Sequence, residues 1–118
     1  MSRFEELLFH RMNIIRVQDD EKEFDSQQHE VEIESAIPCA LEKKNQSKVN
    51  EPIGRVEVEG THLLLTRYPS IVTGYIIEVY EPKSGYYLGR FIAAKPEPIS
   101  DRQGIHHFEI DLKAEVTV

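Results

Sequence analysis

The two-residue alternation at the end of the chain constrains its fold more than any other feature. Phe108, Ile110, Leu112, Ala114, Val116 and Val118 share one parity, and His107, Glu109, Asp111, Lys113, Glu115 and Thr117 share the other. Successive strand side chains point to opposite faces, so this pattern predicts a long strand with one buried and one solvated face. The same alternation runs through Val31, Ile33, Ser35, Ile37, Cys39 and Leu41, set against Glu30, Glu32 and Glu34. Pro38 interrupts it; a proline has no N–H for the ladder, which predicts an edge or a bulge near residue 38.

Further strand signals lie at 10–17, 55–66, 75–81 and 86–94. The first is β-branched without a clean period, as in a strand buried on more than one side. The last two flank Pro82-Lys83-Ser84-Gly85, whose turn chemistry predicts a hairpin. A short helix over residues 2–9 opens the chain: Ser2 and Glu5 have capping-box spacing, and Phe4, Leu7 and Leu8 fall on one face. So short a helix does not stand alone in water and must dock on its own sheet or on a neighbouring subunit. With 118 residues, 40% of them hydrophobic, the chain makes one domain, 1–118, around a thin core. About six strands and one short helix in that space predict a mainly β protein, a small antiparallel β-barrel. Residues 43–54 are polar and close on a proline and a glycine, which predicts a long mobile loop.

The net charge of −7 is local. Residues 18–34 hold Asp19, Asp20, Glu21, Glu23, Asp25, Glu30, Glu32 and Glu34 against Lys22 alone, which accounts for all of it. An acidic chain is repelled by a polyanion, so a free-standing tight nucleic-acid binder is excluded. The patch either keeps a hairpin tip solvated or repels something anionic. The lone Cys39 makes no internal disulfide, the apolar runs are short and no leader pattern opens the sequence, so a cytoplasmic setting is expected.

A search for chemistry finds no catalytic, cofactor-binding or metal-ligating set. His10, His29, His62, His106 and His107 include no pair at strand or helix ligand spacing, and His106 and His107 are expected on opposite faces of their strand. Cys39 lies on the apolar parity and reads as a small buried hydrophobe. Tyr68, Tyr75, Tyr80, Tyr86 and Tyr87 with Arg67 and Arg90 cluster around one hairpin and suit either an interface, with Tyr75, Tyr80, Tyr86, Tyr87 and Arg90 as its candidates, or ordinary strand positions. Tyr75, Ile77 and Val79 share one face while Ile76 and Tyr80 share the other. Both faces therefore need cover, the outer one from a neighbouring subunit.

Four segments carry a family resemblance: Phe4-Glu5-Glu6-Leu7-Leu8-Phe9-His10-Arg11, Ile37-Pro38-Cys39-Ala40 after an acidic spacer, Tyr86-Tyr87-Leu88-Gly89-Arg90, and His106-His107-Phe108-Glu109-Ile110. Taken in order they resemble the head-closure proteins of tailed phages, nearest to those of PBSX-type defective prophages of Bacillus. The resemblance implies a non-enzymatic virion component without a cofactor. It implies a small β-barrel that forms a homo-oligomeric ring under the portal and adaptor proteins, meets the tail completion protein and touches packaged DNA only transiently. Such a subunit can be monomeric in isolation, is made in the bacterial host cytoplasm and resides at the head–tail junction. By order along the chain, the family's channel-plugging loop corresponds to residues 43–54, beginning Lys43, Lys44, Asn45, Gln46, Ser47, Lys48, Val49 and Asn50. The acidic segment would then face the lumen, repelling phosphates, or pair with a basic patch on a partner. The alternative from a different class is a monomeric small-barrel module that binds a peptide or ligand.

Overall fold

The computed structural model describes residues 3–22, 25–44 and 60–114, without the side chains of 3, 5 and 19–28. The elements are α1 (Arg3–Glu6), β1 (His10–Lys22), β2 (Asp25–Lys43), β3 (His62–Thr66), β4 (Ile76–Glu81), β5 (Tyr86–Ala93), β6 (Glu97–Asp101) and β7 (Gly104–Ala114). The protein is mainly β, with seven strands in one antiparallel sheet of order β3-β2-β1-β4-β5-β7-β6. The outermost β3 also pairs with β7, so six strands close a cycle of pairings and β6 hangs from β7 alone. The length of β7 makes this possible: residues 104–109 pair with β6, 108–112 with β3 and 112–114 with β5.

One buried cluster gathers Met12, Ile14, Cys39, Leu64, Ile77, Val79, Phe91, Ile110 and Leu112 from these strands. The 108–114 run contributes Ile110 and Leu112, with Phe108 and Ala114 half-buried against them, as the alternation predicts. Of the 31–41 parity only Cys39 is fully inside; Ile33, Ile37 and Leu41 are half-buried against the cluster, and Val31 and Ser35 are exposed. Ile15 and Ile76, cross-strand partners, are also buried but stand outside that cluster. Strand β1 therefore has both faces covered, in keeping with its lack of a clean period. No helix among the described residues is long and apolar enough to cross a membrane.

The irregularity expected near Pro38 falls a little earlier. Between Met12↔Ile37 and Ile15↔Glu32, β2 carries two more residues than β1, and Ala36 takes φ 55°. Asn13 Oδ1 accepts the displaced Ala36 N–H at 3.1 Å, so the bulge leaves that donor paired. Pro38 itself is tolerated because β3 joins β2 only from Cys39 onward, and the Pro38 carbonyl accepts the Thr66 hydroxyl at 2.9 Å.

Three expectations are corrected. Of the helix over 2–9 only one turn forms, closed by the Leu7 N–H on the Phe4 carbonyl at 2.9 Å. With one turn there is no common apolar face: Leu8 is 5% exposed and Leu7 58%. A seventh strand, β6, carries Pro98 and pairs with β7 only, the edge position that a proline allows. Its connection to β7 is a tight turn in which Asp101 Oδ1 accepts the Gln103 N–H at 2.8 Å and Gly104 takes φ 119°. Third, His106 and His107 do not diverge. Ile99 faces His107 while Ser100 faces Ile105, so β7 has an extra residue at 106, and a bulge of this kind turns both imidazoles to one side. The start of the strand signal at 55–59 and the end of the terminal run at 115–118 lie outside the described residues.

Candidate functional site

The distal part of the β1–β2 hairpin continues past the sheet. Pairing of β1 with β4 stops at Ile15↔Ile76, whereas β1 and β2 remain paired from Arg16↔Val31 out to Lys22↔Asp25. Two strands alone are marginal in water. The root of this ribbon is tied down by Arg90 on β5. One guanidinium nitrogen donates to Glu78, its cross-strand partner on β4, at 3.3 Å, and the other donates to Glu30 on the ribbon. Tyr87 adds its hydroxyl to Glu78 at 3.4 Å. A residue expected at an interface thus holds a residue expected in the acidic patch. Glu30, Glu32 and Glu34 are exposed. Asp19, Asp20, Glu21 and Asp25 occupy the ribbon's paired backbone, and Glu23 lies outside the described residues.

The tyrosines do not form one surface. Tyr86 and Tyr87, at the turn end of the β4–β5 hairpin, are 68% and 54% exposed. Tyr75 and Tyr80 are half-buried, and Tyr75 packs on the core. The outer face expected to need a neighbouring subunit is already covered at Ile76, and Ile92 beside it is the part left exposed.

At the other end of β2, the connection to β3 is clamped at its base. Lys43 pairs with His62, the Lys44 N–H donates to the Thr61 carbonyl at 3.0 Å, and the Lys44 ammonium meets Asp111 at 2.7 Å. Thr61 in turn donates its N–H to the Leu112 carbonyl at 2.9 Å and accepts the Ala114 N–H on its hydroxyl at 3.2 Å. Gly60 lies so close to β7 that a Cβ there would stand 2.7 Å from the Leu112 oxygen. Asn45, Gln46, Ser47, Lys48, Val49 and Asn50 of the expected plug loop lie outside the described residues.

Two arrangements escaped the sequence. Phe4 stacks on His107 with 4.7 Å between centroids and meets His106 edge-on at the same separation, while the Arg67 guanidinium stands 5.3 Å from its ring centre. The two imidazoles face each other through Nδ1 atoms 2.9 Å apart, which requires one to donate and the other to accept. The bulge that unites them depends on β6, and β6 carries too little alternation to be read as a strand. The second arrangement is a groove of about 450 Å³ between the N-terminal segment, β1, β2 and the end of β3. Leu8, Ile37, Pro38 and Tyr68 make its apolar wall, with Arg11 and Arg67 supplying positive charge. Arg11 donates to the Leu8 carbonyl at 3.1 Å and the His10 carbonyl at 2.9 Å. Burial, with Glu34 bonded beside it, raises the Tyr68 phenol above its ordinary value.

Burial governs the titration of Cys39, His10 and His62. Burial pushes the Cys39 thiol up to about 12, so it stays protonated and is a poor nucleophile. Burial also holds His10 below its ordinary value, against the opposing pull of the Glu81 carboxylate, and His10 Nδ1 accepts the Leu41 N–H at 3.0 Å. His62 is lowered by burial and by Lys43. Among the described residues no three His, Cys, Asp or Glu side chains converge to hold a metal. No protein-family model, curated protein or solved structure matches the chain.

Proposed function

We propose that the chain is a structural subunit of a phage or prophage head–tail connector. In this reading it is a small β-barrel that assembles as a ring beneath the portal and adaptor, closes the DNA channel and offers the tail its attachment surface. One observation supports this most: β2 carries two unlike extensions at its opposite ends, a ribbon holding the acidic segment and a long connection clamped at its base by Lys44, Thr61 and Asp111. Lys43 and Lys44, held in the sheet and in the ion pair, would form the base of a channel plug and leave the plug itself to the residues beyond them. Carboxylates along the ribbon would keep phosphates from adhering to a channel or ring face. The resemblance along the chain supplies the remaining support.

The second reading, a monomeric module that binds a peptide or ligand, is favoured by the groove at Arg11 and Arg67. Co-assembly separates the two. The connector reading expects the purified chain to co-sediment with portal–adaptor rings in a fixed ratio. Failure to bind them in any order of addition would leave the module reading.

A further inference from the structure

We propose that the Arg11–Arg67 groove is a docking site for an acidic segment of a partner protein, in which a Glu or Asp stands next to an aliphatic anchor. The groove's volume, about 450 Å³, suits one or two side chains, and its wall of Leu8, Ile37, Pro38 and Tyr68 suits an aliphatic one. Its charge calls for a carboxylate. Arg11 is half-buried, and its hydrogen bonds run to two neutral carbonyls, those of Leu8 and His10. No carboxylate pairs with it among the described residues. A guanidinium taken partly out of water without a counter-ion is costly, and an incoming carboxylate relieves that cost. Arg67 adds a second positive charge at the exposed rim, where its guanidinium also stands over Phe4. Glu34 is engaged with the Tyr68 hydroxyl, so the demand for a carboxylate rests on Arg11. Neutral aliphatic ligands gain nothing from either guanidinium, and a polyanion is turned away by the acidic segment on the same chain. This inference does not rest on the connector reading, because the groove is complete within one chain.

The test is an NMR titration of the whole protein with an end-blocked peptide in which two glutamates flank a leucine, carried to millimolar concentration. Shifts confined to Leu8, Ile37, Pro38 and Tyr68, and affinity at least tenfold above that of the Gln counterpart and falling with added salt, are expected. Arg67→Ser should weaken binding several-fold, and Arg11→Met should abolish it. Phe4→Ala, which removes the ring contact of Arg67 but not the groove's charge, should leave binding intact. Should Arg11→Met fail to fold, the comparison of the Glu and Gln peptides on the unaltered protein still decides. Equal affinity for the Glu and Gln peptides, shifts elsewhere, or no binding overturns the proposal. A peptide with a free C-terminus and no acidic side chain is the third arm, and its tighter binding would overturn the choice of a side-chain carboxylate.

Discussion

Leu7 and Leu8 are identical in chemistry and adjacent in sequence, yet one is solvated and the other lies against the body of the same chain. That resolves at residue scale whether the N-terminal segment packs in cis. Leu8→Asp should cost about 3–5 kcal/mol, since it removes a buried side chain and buries a charge, whereas Leu7→Asp should stay within about 0.5 kcal/mol. Chemical denaturation of both variants checks this, and equal loss in the two would mean that the segment packs elsewhere. His10 offers a second test. Its lowered pKa means that the unfolded chain takes up the proton first, so the contribution of neutral His10 is present above its usual value of 6.5 and is lost as pH falls below it. His62 acts in the same direction. The melting temperature should therefore fall between pH 7 and 5, and His10→Asn, whose amide oxygen can take over the acceptor role of Nδ1, should flatten that fall in part. A variant as steep as the parent would show that His10 carries none of it. Cys39 and Thr66 illustrate what was legible at this scale: parity placed Cys39 inside, but nothing in the sequence told that Thr66 would be buried to tie Pro38 to the start of Tyr68.

At the scale of elements, the β4–β5 hairpin was readable because its signals are local. Tyr and Ile runs flank Pro82 and Gly85, and Glu81 folds its carboxylate over the turn to accept the N–H groups of Lys83 and Ser84 and the Ser84 hydroxyl. The β6–β7 hairpin was not, because Pro96 and Pro98 disguise an edge strand as a loop. The position of the β1–β2 bulge was half-readable: Pro38 announced an irregularity, while its site depended on Asn13, a partner 23 positions from Ala36. The ribbon brings an experiment of its own. Arg90→Gln should release Glu30 and Glu78 together, at a cost of only about 1 kcal/mol because the pairs are partly solvated. The amides of residues 16–18 and 29–31 should then exchange markedly faster with deuterium while those of β7 are unchanged. Unaltered exchange in the ribbon would mean that Arg90 does not hold it.

For the whole molecule, the acidic balance belongs to one hairpin, and the two alternating runs, β2 and β7, flank β3 from either side. Which strands pair could not be read, since β7 pairs with three strands at once and pairing partners leave no mark on periodicity. The same holds for the groove, which assembles Arg11 with Arg67 from positions far apart in the chain. Mainly β, antiparallel architecture followed from pattern. The placement of the candidate site residues followed only from the fold, and it joined Glu30 to Arg90 while separating Tyr75 from Tyr86. The connector account meets its most direct test in electron microscopy of portal–adaptor rings incubated with the purified chain. It predicts an additional closed ring of copies on the adaptor's free face, with the connection that follows Lys44 turned toward the axis. Portal–adaptor particles without that ring, at saturating concentrations of a folded chain, would contradict it.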